Sequence, residues 1–122
     1  MPTISFLAAN AEAVESGRKR ITIRLQYVNP GARLVLYMGQ WTKGGCRKLM
    51  ETVCRKCVPI MISERGVFIW GAGLSERGVE HLARQNGFRS AEEFRAFFRD
   101  GYGFPFIGYI ISWFTKRHRV RR

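Results

Sequence analysis

A chain of 122 residues, of which 46% are hydrophobic and 13% aromatic, is long enough to fold around one hydrophobic core. Its formal charge of +12, from 21 Lys and Arg against nine acids, indicates a phosphate-rich partner or an anionic surface. No apolar run reaches the length of about eighteen residues that a membrane helix needs, and no secretory signal is visible, so we expect no membrane-spanning helix and a cytoplasmic location.

The basic residues are distributed unevenly along the chain. Residues 1–75 hold eleven Lys and Arg against four acids, residues 76–100 are neutral, and the last seven residues, KRHRVRR, add five cations. No amphipathic helix accompanies these basic blocks, so we expect nucleic acid rather than a membrane as the partner. We predict one domain, residues 1–115, and a basic, flexible tail, residues 116–122.

The first predicted elements are a strand, a helix and a second strand. The segment ISF predicts a short strand, and AANAEAVESG has the alanine and glutamate content of a helix. We place the N-cap of this helix at Asn10 and its end just before Gly17. The segment ITIRL then predicts the second strand.

Three further strands are predicted in the middle of the chain: RLVLYM, KLMETVCRKCVPIMI and VFIW. A glycine-rich loop between the first two, GQWTKGG, carries Trp41 and Lys43 at its tip. Cys54 and Cys57 lie three residues apart in a strand, so their sulfur atoms point to opposite faces. We therefore expect free thiols, no metal site and no cofactor.

After residue 74 the hydrophobic period changes from two to about 3.6 residues, which predicts helices. Ser75 is the expected N-cap of one helix, and Ser90 with Glu93 forms the capping box of the next. The segment FIGYIISWF predicts a closing strand. About six mostly antiparallel strands and about three helices indicate an α+β fold, which we interpret as a small β-barrel with helices on one side.

The segment SGRKRITIR places four cations around the hydroxyl group of Thr22, namely Arg18, Lys19, Arg20 and Arg24. On a strand, Arg20, Thr22 and Arg24 share one face, and the apolar residues that alternate with them, up to Leu25, pack inward. The two guanidinium groups then lie about 13 Å apart, from a rise of roughly 3.3 Å per residue. This spacing suits successive phosphate groups of a nucleic acid.

We predict a nucleic-acid-binding surface, for RNA or DNA, composed of this segment, the glycine-rich loop, the start of the long strand and the tail. The predicted contact residues are Arg18, Lys19, Arg20, Thr22, Arg24, Trp41, Lys43, Arg47, Lys48, Lys116, Arg117, Arg119, Arg121 and Arg122. Two interpretations of Trp41 stay open, namely stacking on an unpaired base and covering an edge of the core.

The order of these features resembles the ASCH domain, a branch of the PUA-like superfamily, in its small stand-alone bacterial and phage forms. The residues that carry the resemblance are Gly17, Lys19, Thr22 and Arg24, followed by the LVLY strand, the PIMI strand, the NGF-x-S-x-E-E-F helical segment and YGFPFIGYIISW. It covers the chain up to about Phe114. It implies a PUA-like β-barrel with a cleft between barrel and helices, and contact with RNA or DNA.

The resemblance also implies an alternative function, because some stand-alone ASCH proteins are enzymes. One group hydrolyses N4-acetylcytidine and another is linked to RNA cleavage. The working lysine and threonine match Lys19 and Thr22 by position, but Asn86 stands where the family has a glutamate. Asn86 can orient a group but cannot titrate, and Glu80 or Glu76 from the neighbouring helix is the available substitute.

Three hypotheses follow. The first is a nucleic-acid-binding protein; the second is a hydrolase acting on a modified nucleoside or on RNA through Lys19, Thr22 and Asn86; the third is a phage accessory protein that binds a host protein or its nucleic-acid complex. The sequence leaves the oligomeric state, the choice between RNA and DNA, and any base preference open.

Overall fold

The computed structural model describes residues 2–39 and 46–115. Over these residues it contains seven strands and three helices, which confirms the predicted α+β class and adds one strand to the predicted six. The strands are β1 (Thr3–Phe6), β2 (Ile21–Arg24), β3 (Arg33–Met38), β4 (Arg47–Ser63), β5 (Gly66–Ile69), β6 (Ala72–Gly73) and β7 (Phe106–Trp113). The helices are α1 (Ala8–Glu15), α2 (Glu76–Gln85) and α3 (Ala91–Tyr102).

The strands form a mixed sheet. Its order is β1-β3-β4-β5-β6, and β7 pairs with both β2 and β4. The β1–β3 pair is parallel, whereas β3–β4, β4–β5 and β5–β6 are antiparallel, as the sequence predicted for most of the sheet. Across the described residues this order is open rather than closed on itself.

The chain divides into two compact units, and the division falls inside β4 and inside β7. Unit 1 comprises Met1–Arg20, Val28–Lys56 and Ser112–Arg122, and unit 2 comprises Ile21–Tyr27 and Cys57–Ile111.

Unit 1 is built on β1, β3 and the first part of β4, with α1 beside β1 and β3. Burial alternates along β1, as the two-residue period of a strand requires, whereas three consecutive residues of β3, Leu34, Val35 and Leu36, are buried because both faces of this strand are covered. The buried side chains include Ile4, Phe6, Val14, Leu34, Leu36 and Trp113. Phe6 and Trp113 meet edge to face, with ring centroids 5.9 Å apart.

Unit 2 packs α2 and α3 on its own strands. Its core contains Ile23, Ile60, Ile62, Val67, Val79, Leu82, Ala83, Phe94, Phe98 and Phe106. The helical members recur at intervals of three or four residues, which places them on one face of each helix.

Both predicted serine N-caps are confirmed. The Ser75 hydroxyl accepts from the Gly78 N–H and the Ser90 hydroxyl accepts from the Glu93 N–H, each at 3.1 Å. The predicted cap of α1 is wrong: Asn10 lies inside the helix, and Leu7 occupies the N-cap position without a side-chain hydrogen bond. The Asn10 N–H donates to the Leu7 carbonyl at 2.9 Å, so the first turn of the helix begins before Asn10.

Among the described residues, no helix is long and apolar enough to cross a bilayer.

Candidate functional site

The segment after α1 turns sharply because Gly17 adopts a φ of 85°, a conformation that side chains other than hydrogen disfavour. The Gly17 N–H donates to the Val14 carbonyl at 3.2 Å, and the Lys19 N–H donates to the Ala13 carbonyl at 2.9 Å. These bonds satisfy carbonyls at the end of the helix and fix the backbone of Lys19.

Lys19 is buried, with 7% of its surface exposed. Its ammonium group lies 6.0 Å from the centre of the Phe6 ring, within the range of a cation–π interaction. The next residue, Arg20, is exposed, and its carbonyl accepts from the Trp113 N–H at 3.2 Å. The two adjacent cations therefore differ in environment, since the Lys19 side chain is buried and the Arg20 side chain is exposed.

Thr22 and Arg24 belong to unit 2, where they contact each other. Thr22 is 5% exposed, and its hydroxyl accepts from the Arg24 Nε at 3.0 Å. Partial burial lowers the pKa of Arg24, an effect that Tyr102 opposes. The guanidinium remains a cation, so this pair places a positive charge next to a buried hydroxyl.

Two features of the predicted alternation in β2 are wrong. Thr22 is buried rather than part of an exposed face, because protein covers both faces of the strand at this point. Leu25 is 61% exposed rather than packed inward, because β2 ends at Arg24.

Asn86 and Glu80 have structural contacts in unit 2. Asn86 is the C-cap residue of α2, and its side-chain amide donates to the Leu82 carbonyl at 3.0 Å. The Glu80 carboxylate accepts from the Ala91 N–H at 2.9 Å and from the Arg84 Nε at 3.1 Å. Glu80 thus links α2 to the first turn of α3, and Glu76 is exposed at the start of α2.

The acids of unit 1 all form ion pairs at its surface. Glu12 pairs with Arg18, Glu15 pairs with Arg47 at 2.7 Å, and Glu51 pairs with both Arg33 at 3.1 Å and Lys48 at 2.6 Å. Arg47 lowers the pKa of Glu15 through a hydrogen bond, and Lys48 does the same to the pKa of Glu51. Exposed pairs of this kind contribute little to stability and exchange readily for other ions.

Three exposed cations of unit 1, Arg20, Arg55 and Lys56, take part in no ion pair within residues 2–39 and 46–115. Arg20 is one of the contact residues predicted from the sequence, whereas Arg55 and Lys56 were not predicted. The available signal was two consecutive cations inside a predicted strand, where strict alternation would bury one of them.

The formal charge is concentrated in one unit. The described residues of unit 1 contain eight Lys and Arg and three acids, a charge of +5, whereas unit 2 contains seven and six, a charge of +1. Trp41, Lys43, Lys116, Arg117, Arg119, Arg121 and Arg122 lie outside the described residues. Considering only the described part of the chain, no group of three His, Cys, Asp or Glu side chains is arranged to hold a metal ion.

No protein-family model, curated protein or solved structure matches this chain.

Proposed function

We propose that this protein binds nucleic acid, RNA or DNA, through the cationic surface of unit 1, as a PUA-like domain of the ASCH type. The observation that carries the proposal is the asymmetry of charge among the described residues, +5 in unit 1 against +1 in unit 2. A field this one-sided attracts a polyanion to one part of the molecule.

The local contacts support the same conclusion. Three exposed cations can bind a phosphate without first breaking an ion pair to a carboxylate of the described residues, namely Arg20, Arg55 and Lys56. Arg18, Arg33, Arg47 and Lys48 pair with exposed acids, and a phosphate can replace such a partner at small cost. The five cations of the segment KRHRVRR would add affinity without base preference.

A second candidate function is hydrolysis of a modified nucleoside. The observation that favours it is the burial of Thr22, since a side chain that only contacts phosphate has no need to be buried. Against it, Asn86 caps α2 and the Glu80 carboxylate binds the start of α3, so two of the groups expected to assist catalysis have structural roles.

Two variants of Thr22 separate these functions. Thr22→Val removes the hydroxyl and keeps the shape of the side chain, and Thr22→Ser keeps the hydroxyl. We expect both variants to bind a labelled single-stranded oligonucleotide within about threefold of the original protein, because Thr22 is buried. The measurements are fluorescence anisotropy and the release of acetate from N4-acetylcytidine, and Thr3→Val, at an exposed threonine, is the control.

Acetate release that disappears in Thr22→Val and persists in Thr22→Ser and Thr3→Val would establish the hydrolase instead. Absence of binding to RNA and DNA alike would contradict the proposed function.

A further inference from the structure

A cavity of about 310 Å³ opens on unit 1. None of the residues that line it belongs to the segment SGRKRITIR, which the sequence predicted as the centre of the binding surface. Five residues line it: Arg33, Glu51, Thr52, Val53 and Phe114. Its volume lies at the lower end of the range for small-molecule sites, about 300–1,000 Å³, which suits a single nucleobase with its sugar.

One wall of the cavity is formed by side chains of β3 and β4, whose register brings them together. Arg33 lies directly opposite Val53, and Glu51 precedes Val53 by two residues on β4. Residues two apart on a strand face the same side, so Arg33, Glu51 and Val53 share the outer face of the sheet. Val53, which is 37% exposed, forms an apolar floor beside the ion pair of the two charged groups.

Phe114 lines the cavity and is held against β4 by two hydrogen bonds. Its N–H donates to the Val53 carbonyl at 3.3 Å, and its carbonyl accepts from the buried Thr52 hydroxyl at 2.5 Å. These bonds fix the backbone of an aromatic residue beside the floor, which reduces the ordering that ligand binding would require.

The charged groups of the cavity offer donors beside an acceptor. Glu51 Oε1 accepts from Arg33 at 3.1 Å, and Glu51 Oε2 accepts from Lys48 at 2.6 Å. Lys48, followed by Arg33, lowers the pKa of Glu51, so the carboxylate is ionised at neutral pH. A carboxylate has about four acceptor positions and a guanidinium five donors, so both groups keep capacity for a ligand.

We propose that this cavity binds an unpaired guanine base of single-stranded nucleic acid, an inference that rests on the proposed function. Guanine presents two neighbouring donors, N1–H and the N2 amino group, which match the two oxygens of the Glu51 carboxylate. Its O6 acceptor lies next to N1–H and matches the Arg33 guanidinium. Phe114 and Val53 supply the aromatic and apolar contacts that an unpaired base needs.

Competing bases match the cavity less well. Adenine and cytosine each present one exocyclic amino group beside an acceptor, and uracil presents one ring N–H between two acceptors. None of them offers two adjacent donors to a carboxylate. A duplex is excluded because its bases are paired and stacked.

The test compares oligonucleotides that differ by one group. The probes are labelled uridine pentamers, in ribose and deoxyribose forms, whose central base is guanine, hypoxanthine, adenine or uracil. Hypoxanthine, the base of inosine, lacks only the N2 amino group of guanine. We expect the protein to prefer guanine over inosine about tenfold, because the lost hydrogen bond involves a charged acceptor. The ribose and deoxyribose arms show whether the sugar is also recognised.

Glu51→Gln should reduce the preference for guanine over inosine to less than about twofold. The affinity for the uracil pentamer should stay the same or rise, because a negative charge is removed. Glu12→Gln is the matched control, since it also removes an exposed carboxylate of unit 1 that pairs with an arginine; it should keep the full preference. Arg33→Gln should weaken guanine binding more than uracil binding.

Equal binding of all four pentamers by the original protein, or equal effects of Glu51→Gln and Glu12→Gln, would overturn this inference while leaving nucleic-acid binding intact. Failure to bind any pentamer would overturn both.

Discussion

Replacing Gly108 by alanine is expected to destabilise the protein by about 2–3 kcal/mol, or roughly 10 °C in Tm, because the backbone of β2 approaches β7 too closely for a side chain. A Cβ at this position would lie 2.6 Å from the Arg24 carbonyl oxygen and 2.8 Å from the Phe106 ring. The carbonyl belongs to a paired strand and cannot move without disturbing β2, which also carries Thr22.

Gly101→Ala is the matched control for this substitution. Gly101 lies in α3, and no atom within 4 Å would meet its Cβ. Alanine is the better helix former by about 1 kcal/mol, so this variant should melt at a higher temperature than the original protein. Thermal unfolding followed by circular dichroism measures both changes, and an unchanged Tm for Gly108→Ala would contradict the close β2–β7 packing.

Reversing two charges of unit 1, in the variant Arg55→Glu/Lys56→Glu, is expected to weaken nucleic-acid binding roughly 100-fold near 0.1 M salt. Each lost contact to a single strand removes about 0.7 unit from the salt slope, or about fivefold in affinity at this concentration, and repulsion by the two added carboxylates supplies the rest. Both residues are exposed, so the folded structure should tolerate the change.

The matched control is Arg65→Glu/Arg77→Glu, which makes the same change in formal charge at two exposed positions of unit 2. We expect only a severalfold loss for this variant, from the general field. Equal losses in the two double variants, measured by anisotropy with the same labelled strand, would mean that net charge alone governs binding and that unit 1 has no special role.

The sequence predicted most elements of the fold because their signals are local. The segment RLVLYM coincides with β3, and the serine caps mark the starts of α2 and α3. The short strand β6 was missed. It follows a two-residue turn at Trp70 and Gly71, both with positive φ, and the aromatic residue in this turn looked like the continuation of β5.

Burial of the motif could not be predicted from its residues. Lys19 is buried because Gly17 turns the chain and because Phe6 lies beside it, and Trp113, which packs on Phe6, is distant in sequence. Three adjacent cations, Arg18 to Arg20, are typical of an exposed surface, so the local pattern gave no sign that Lys19 is buried. Likewise, the cavity beside Glu51 depends on Phe114 meeting β4 from the other end of the chain.

The pairing of acids with cations was also invisible in the composition. Glu51 reaches Arg33 because β3 and β4 align in one register, and it reaches Lys48, three residues earlier on β4, next to an irregularity in that register. Among the cations of unit 1 that the structure describes, Arg20, Arg55 and Lys56 are exposed and take part in no ion pair, so they are the most available to phosphate. The candidate surface thus moves from the motif itself toward β4.

The central claim, that the cationic surface of unit 1 binds nucleic acid, is tested most directly by the salt dependence of binding. Affinity for a labelled single strand should be measured from about 50 to 300 mM KCl. Engagement of Arg20, Arg55, Lys56 and part of the paired cations predicts that log K falls linearly with log [KCl] with a slope of about −3 or steeper, at about −0.7 per phosphate contact. A flat dependence, or no measurable binding at 50 mM KCl, would contradict the account.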